Sequence, residues 1–177
     1  PQSTEAQATV VVAGATGFIG SALGARLSDH YRLIGLSRSA GVELDGYQSV
    51  RQVDLFSRKD TEAALEGANL AIYLVHSMMP SARLVQARFS DLDLLCADNF
   101  ARAARSQGVR HVVYVGGLIP QEGELSEHLD SRLEVERVLA SYDVPVTTLR
   151  AGIVVGPGGS SFQILSRLVH RLPMMVC

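Results

Sequence analysis

The sequence predicts a doubly wound α/β fold built on a parallel sheet. Short β-branched apolar runs alternate with amphipathic segments along the whole chain, the pattern of βαβ units whose strands are covered on both faces. The first apolar run also leads at once into a glycine-rich turn, Gly14-Ala-Thr-Gly17-Phe-Ile-Gly20, and then into a helical pattern. A chain of 177 residues holds one such domain with a sizeable core and is too short for that domain plus a full second one.

Taken in order, the first strand is expected at 9–13, where three valines precede the turn, and a helical pattern follows over 18–29. Strands are expected at 32–37 and 49–54, then a short helix over 59–66 that stops at Gly67, where a left-handed cap is wanted. The fourth strand, 70–75, leads into a long helix over 82–107, with Leu84, Leu92, Leu95, Cys96 and Phe100 as its apolar stripe and Gly108 just past its end. The fifth strand is expected at 111–115 and a further helix over 125–142. Pro145 then punctuates the chain before a sixth strand at 146–150. A last helix, 160–172, opens on Ser160-Ser161-Phe162, good capping chemistry that needs no further explanation. Residues 1–8 are polar and read as a flexible lead-in, so the domain is expected over 9–177. The apolar tail Arg171-Leu-Pro-Met-Met-Val-Cys177 reads as the point where a longer protein has been cut.

Composition narrows the function classes. A net charge of −2 with no acidic or basic block gives no electrostatic footprint for a nucleic acid or an anionic membrane, so neither is expected as a partner. The two cysteines form no disulfide framework and, with His111 and His170, no metal-ligand spacing; a reducing compartment, the cytoplasm, is the expected address and no metal is expected. Residues 10–15 are far too few to span a bilayer, which takes about 20 apolar residues.

A phosphate-binding turn needs a buried strand, glycines that let the backbone approach an anion, and a helix N-terminus whose free N–H groups face it. Here the strand ends at Ala13, Gly14 makes the turn, Ala15 and Thr16 follow with a hydroxyl near the helix start, Gly17 leaves room for a diphosphate, and Phe18, Ile19 and Gly20 open the helix. The plain alternative is an ordinary tight turn; the strand before it and the helix after it favour dinucleotide binding. Ser37-Arg38-Ser39 closes the second strand with a cation and no carboxylate, which favours NADP(H) over NAD(H), because Arg offers a charge-assisted fork to a 2′-phosphate. An Arg38 that merely faces solvent is the competing reading. Asp54-Leu55 is placed to receive the adenine amino group, and Leu74, Val75, His76 and Ser77 to line the adenosine ribose. Met78-Met79-Pro80 reads either as an apolar lip over the nicotinamide or as a plain loop.

The turn, Arg38, Asp54-Leu55 and Arg150-Ala-Gly-Ile-Val-Val-Gly-Pro-Gly158 together resemble the extended and atypical short-chain dehydrogenase/reductase superfamily, over nearly the whole chain. Tyr73-Leu-Val-His-Ser-Met78, Val113-Tyr-Val-Gly-Gly-Leu118, the stretch from Leu125 to Val135 and the run from Ser161-Phe162 through Arg171-Leu-Pro-Met174 look like its atypical branch, related to NmrA-like and NAD(P)-dependent epimerase/dehydratase-like proteins. The resemblance implies a Rossmann domain holding NAD(P), with the nicotinamide near Val115, Gly116 and Gly117, and helices such as 82–107 and 125–142 that the superfamily pairs into homodimers. It also implies a Tyr and, four residues on, a Lys that together move a proton. Those positions fall here on His128 and Arg132, and the Ser or Thr expected after the fifth strand is replaced by Gly116-Gly117. His128 and Arg132 are therefore the candidate catalytic residues, with His128 equally readable as a polar helix cap. Arg132 is readable as a ribose or phosphate ligand, or as a solvated partner of Glu136 one helical turn on. Three activities stay open: an NADP(H)-dependent oxidoreductase working on a small carbonyl or quinone, a non-catalytic dinucleotide sensor or assembly factor, and a sugar-nucleotide epimerase or dehydratase.

Overall fold

The computed structural model of the chain describes residues 7–76, 89–120, 124–156 and 160–171. Its elements, in chain order, are β1 (Thr9–Ala13), α1 (Phe18–Leu27), β2 (Arg32–Ser37), β3 (Ser49–Gln52), α2 (Arg58–Ala64), β4 (Leu70–Tyr73), α3 (Phe89–Ser106), β5 (His111–Gly117), α4 (Glu127–Leu139), a 3₁₀ turn (Ala140–Tyr142), β6 (Val146–Ala151) and α5 (Ser160–Arg171). The strands form one six-stranded sheet in the order β3-β2-β1-β4-β5-β6, and every pairing is parallel. After β3 the chain crosses back past β1 to lay down β4, so the strand order reverses between β1 and β4. A crevice opens there beyond the strands' carboxyl ends.

The apolar runs of the sequence exist because both faces of this sheet are covered. Along β1 the side chains alternate between two cores. Val11 and Ala13 join Ile34, Leu36, Ala71, Tyr73, Ala97, Phe100, Val112, Tyr114, Val135 and Leu139 on the face carrying α2, α3 and α4. Val10 and Val12 join Leu33 and Ala15 on the other face, against Leu23 and Leu27 of α1. The Tyr73 ring sits 4.9 Å from Phe100 and 6.2 Å from Tyr114, tilted in both pairs, which fixes β4, β5 and α3 around one aromatic cluster.

Element ends shift from the predicted bounds for local reasons. Helix α2 covers Arg58–Ala64 rather than 59–66: Ser57 caps its start by accepting from the Asp60 N–H at 3.3 Å, and the Arg51 guanidinium donates to the Ala64 and Glu66 carbonyls at 2.8 and 3.0 Å where the helix stops. Helix α4 begins after Ser126, whose hydroxyl accepts from the Leu129 N–H at 3.3 Å, so Leu125 lies outside it. Beyond Leu139 the chain tightens into the 3₁₀ turn and ends on Asp143 in the left-handed region. Strand β3 stops at Gln52 and β4 at Tyr73, two residues short of prediction in each case, while β5 runs on to Gly117 because Gly116 and Gly117 pair with Arg150 and Ala151. Gly67 and Gly108 take the expected positive φ, +76° and +70°. Of the helix predicted over 82–107, the part from Phe89 is described; residues 82–88, Ser77 and the stretch Met78-Met79-Pro80 lie outside the described residues. Among the described residues, no helix is long and apolar enough to cross a membrane and no three His, Cys, Asp or Glu side chains cluster as metal ligands.

Candidate functional site

The three glycines of the turn do three different things. Gly14 has φ +84°, and a Cβ there would lie 3.1 Å from Leu74 Cβ, so the chain turns in a left-handed conformation directly against β4. At Gly20 a Cβ would meet the Gly14 carbonyl oxygen at 2.3 Å and Ala15 Cα at 2.6 Å, so this glycine lets α1 start on top of the turn itself. Gly17 is the N-cap of α1, with φ −77° and ψ 174°, a conformation any residue adopts; a Cβ there would meet a single neighbour, the Gly14 carbonyl oxygen at 3.2 Å. Of the three glycines, Gly17 is the one whose backbone conformation and surroundings ask least for glycine. No side chain caps the first N–H groups of α1, which leaves these donors for an anion.

A cleft of about 500 Å³ opens over this turn, at the carboxyl ends of β1, β4, β5 and β6. It gathers most of the predicted residues: Gly14, Gly17, Phe18, Ile19 and Gly20 on one side, Leu74 and His76 on the floor, and Val115, Gly116, Gly117, His128 and Arg132 on the other side. Leu118, Leu129, Ala151, Gly152 and Val154 complete the wall, and Arg132 is the single formally charged side chain among the described residues lining it. A second cleft, of about 520 Å³, lies beside the ends of β2 and β3 and brings Arg38 and Asp54 together with Gln52, Val53, Phe56 and Asp60. The turn lines the first cleft, and none of its residues lines the second.

The remaining predicted residues play supporting parts. Ala15 is fully buried in the core. Thr16 and Ser39 are exposed and line neither cleft, while the buried Ser37 hydroxyl accepts from the Ser39 N–H at 3.1 Å. Leu55 and Val75 pack on the edge of the larger core. Several residues that the sequence reading passed over are better placed. Asn99, buried on α3, donates to the Leu55 and Phe56 carbonyls at 2.9 and 3.1 Å and so holds the loop that presents Asp54. Gln52 donates to the Arg38 carbonyl at 3.2 Å, and the exposed Phe56 ring offers a flat apolar surface beside Arg38. A polar amide on a helix's sheet-facing side was the signal for Asn99.

Arg132 corrects an expectation. It is not on a solvated helix face and does not pair with Glu136: it is 7% exposed, and its guanidinium donates to the Tyr114 hydroxyl at 3.3 Å while that hydroxyl donates to the Arg132 carbonyl, also at 3.3 Å. Glu136 instead takes Arg150 of β6, at 2.8 Å. Burial pulls the Arg132 guanidinium below its ordinary pKa and pushes the Tyr114 phenol up, so this phenol is no ready source of protons. The glycine pair after β5 also has a structural reason: a Cβ on Gly117 would lie 2.6 Å from Leu129 Cδ2, so Leu129 fills the space where a hydroxyl-bearing side chain would stand.

Comparison with known proteins agrees with this architecture. The chain is 29% identical to the auxiliary protein GraX of Staphylococcus aureus, over 78% of this chain and 42% of that protein. It is 28% identical to the ceramide reductase of Caulobacter vibrioides, over 98% of this chain and 55% of that protein. The chain thus spans about half the length of the curated relatives it matches. Among solved structures it is similar to the enzyme WbmG of Bordetella bronchiseptica in complex with NAD, with a TM-score of 0.75 and 17% identity over 96% of this chain and 62% of that one, a likeness of fold. The sequence family described as NAD dependent epimerase/dehydratase matches residues 10–129, which is more than half of the chain. With its parallel sheet, its glycine turn and the cleft above it, the chain belongs to the NAD dependent epimerase/dehydratase family.

Proposed function

We propose that this chain is the dinucleotide-binding part of an NADP(H)-dependent oxidoreductase acting on an uncharged carbonyl or quinone. The observation that carries the proposal is the bare Gly17 at the uncapped start of α1, facing a cleft at the point where the strand order reverses. The backbone from Gly14 to Gly20 would hold the diphosphate, Arg38 the 2′-phosphate, the loop at Asp54-Leu55 the adenine, Leu74 to Ser77 the adenosine ribose, and Val115 to Gly117 with Arg132 the nicotinamide side. When bound, NADPH supplies a hydride. The chain's own residues would orient the acceptor, exclude water with Leu118, Leu129 and Val154, and keep a proton within reach on the exposed His128 imidazole.

The walls favour an uncharged substrate. A sugar nucleotide brings a second diphosphate, and the one cation of the main cleft among its described lining residues is already buried and engaged with Tyr114. Leu118, Ile153 and Val155 are more than half exposed at the cleft or beside its Val154 wall, which suits an apolar acceptor. A relative that is named a ceramide reductase supports the same direction. The second reading, a non-catalytic dinucleotide sensor, is favoured by one specific observation, the filling of the Gly117 position by Leu129. An epimerase or dehydratase needs the proton relay and is weakened by the same fact.

The test is turnover. The protein expressed from its full reading frame is mixed with NADPH and, in separate arms, with quinones, long-chain aldehydes and ketones, and UDP-sugars, while loss of the reduced nicotinamide is followed. Turnover in the quinone or carbonyl arms is expected. Tight NADPH binding with no turnover in any arm would leave the sensor reading in its place.

A further inference from the structure

We infer that residues 38–48, between β2 and β3, form a brace whose seat on α1, made by Gly24, Gly46 and Tyr47, fixes Arg38 relative to the glycine-rich turn and thereby sets the preference for a 2′-phosphorylated dinucleotide. The inference rests on the cofactor reading above and adds to it the residues that make the discrimination possible.

The brace touches α1 backbone to backbone. A Cβ on Gly24 would fall 1.9 Å from the Asp45 carbonyl oxygen, and a Cβ on Gly46, which has φ +75°, would fall 2.3 Å from the Gly24 carbonyl carbon. Neither position can carry a side chain while the segment stays where it is. Next to this contact the Tyr47 hydroxyl donates to the Gly20 carbonyl at 2.6 Å, and Gly20 is itself seated on Gly14 and Ala15. Leu44 anchors the middle of the segment in the smaller core, and the Tyr47 N–H donates to the Leu44 carbonyl at 3.1 Å. At its other end Gln52 holds the Arg38 carbonyl, and the Ser37 hydroxyl holds the Ser39 N–H.

Close contacts thus run from Gly14 through Gly20 and Tyr47 to Leu44, in the second half of the segment whose first residue is Arg38, while Gln52 holds the Arg38 carbonyl at its start. A guanidinium separates a ribose 2′-phosphate from a 2′-hydroxyl only if its fork stands where the phosphate arrives. A segment ordered in advance avoids losing that advantage to ordering on binding. The same first turns of α1 thus reference both the backbone donors for the diphosphate and the cation for the 2′-phosphate. Tyr47, Gly24 and Gly46 are positioning residues and none of them lines either cleft.

The experiment is calorimetric titration with NADPH and with NADH of the parent chain and of Arg38→Ala, Gly24→Ala, Tyr47→Phe and the Arg38→Ala/Gly24→Ala double variant, each shown to be folded by circular dichroism. Gly24→Ala must lift the segment off α1. NADPH binding is expected to weaken about tenfold or more while NADH stays within about twofold, and the double variant to bind NADPH no more weakly than Arg38→Ala alone. Tyr47→Phe should weaken NADPH about threefold with NADH unchanged, and it decides the matter if Gly24→Ala does not fold. Equal losses for both cofactors, or none, would overturn the brace. If Arg38→Ala itself leaves the preference intact, the cofactor reading beneath falls. If Arg38→Ala abolishes the preference and the brace variants do not touch it, the brace alone falls.

Discussion

Gly17 and Gly20 are three residues apart in one turn, and the structure gives them opposite duties, so alanine at each should produce opposite results. At Gly20 the new methyl would meet three backbone atoms at 2.3, 2.6 and 2.7 Å, none of which can rotate aside. Overpacking of this kind costs about 1–3 kcal/mol, and a rigid backbone partner puts it at the upper end. Alanine's better helix propensity returns about 1 kcal/mol. The net loss is about 2 kcal/mol, which lowers the melting temperature of a domain of this size by about 4–8 °C. At Gly17 the backbone is already in an extended conformation open to alanine, and the single contact of 3.2 Å asks for a shift of a few tenths of an ångström. Alanine is a poorer N-cap than glycine by about 0.5 kcal/mol, and a stiffer unfolded chain offsets that by about 0.4–1 kcal/mol. Gly17→Ala should therefore melt with the parent while its affinity for NADPH falls tenfold or more, because the methyl occupies the approach of the diphosphate. Thermal melts and calorimetric titration of the two variants check both halves. A Gly20→Ala protein that melts within about 1 °C of the parent, or a Gly17→Ala protein that keeps its affinity, would refute the division of labour.

Removing Asn99 takes two hydrogen bonds from the loop, so Asn99→Ala should lose about 1–3 kcal/mol in urea unfolding, and Asn99→Asp, which has no N–H to donate, should lose at least as much; an unchanged midpoint for either would show that the loop at Asp54 holds itself. For Arg132, methionine keeps most of the buried volume while alanine leaves a void, so Arg132→Ala should be less stable than Arg132→Met by about 1–3 kcal/mol, a gap that vanishes if the guanidinium's charge and not its packing is what matters there. Burial, reinforced by the charges of Asp93 and Asp54, pushes the Cys96 thiol up to about 12 from an ordinary 9.0, so at pH 8 its alkylation in the folded protein, followed on the Cys96 peptide, should run about a thousandfold slower than in urea. Because the folded value lies above the unfolded one, this thiol's contribution to stability is complete below about pH 9 and is lost as pH rises toward 12. Tyr47, pushed by burial from 10.0 to about 12, acts in the same direction, and Cys96→Ala should flatten the alkaline loss measured by urea midpoints.

The sheet was legible because a strand covered on both faces must be apolar at consecutive positions, and 10–13 and 33–36 show that without any partner being known. The glycine turn was legible for a related reason, since φ +84° at Gly14 and the closeness at Gly20 leave glycine as the residue that fits. The burial of Arg132 was not legible because its environment is made by a strand 18 residues away. The helical spacing to Glu136 is a local rule, and the pairing of β5 with β6 overrides it by bringing Arg150 to that carboxylate. The brace on α1 was invisible for the same kind of reason. Gly24 and Gly46 look unremarkable in their own segments, and the need for them arises where the two segments meet. Asn99 was passed over because a stripe read for its apolar members leaves out the polar one facing a loop.

What the packing around β5 implies for chemistry follows from the same contacts. Leu129 occupies the space beyond Gly117, so Gly117→Ser alone would not restore a donor there; Leu129 would have to shrink as well. Arg132 stays cationic at working pH and is tied to a phenol that burial keeps protonated. Two positions of a proton relay are thus taken up by packing, and the imidazoles among the described residues lining the cleft are those of His76 and His128. An isolated ketone receiving a hydride develops a full alkoxide charge and needs a donor in place at that moment. A quinone spreads the charge over its own ring and can take its proton later, from an imidazole or from water. Apolar walls with one engaged cation and no hydroxyl side chain among their described lining residues therefore suit an acceptor that stabilises its own negative charge, and on this physical ground the quinone arm of the turnover experiment should respond first.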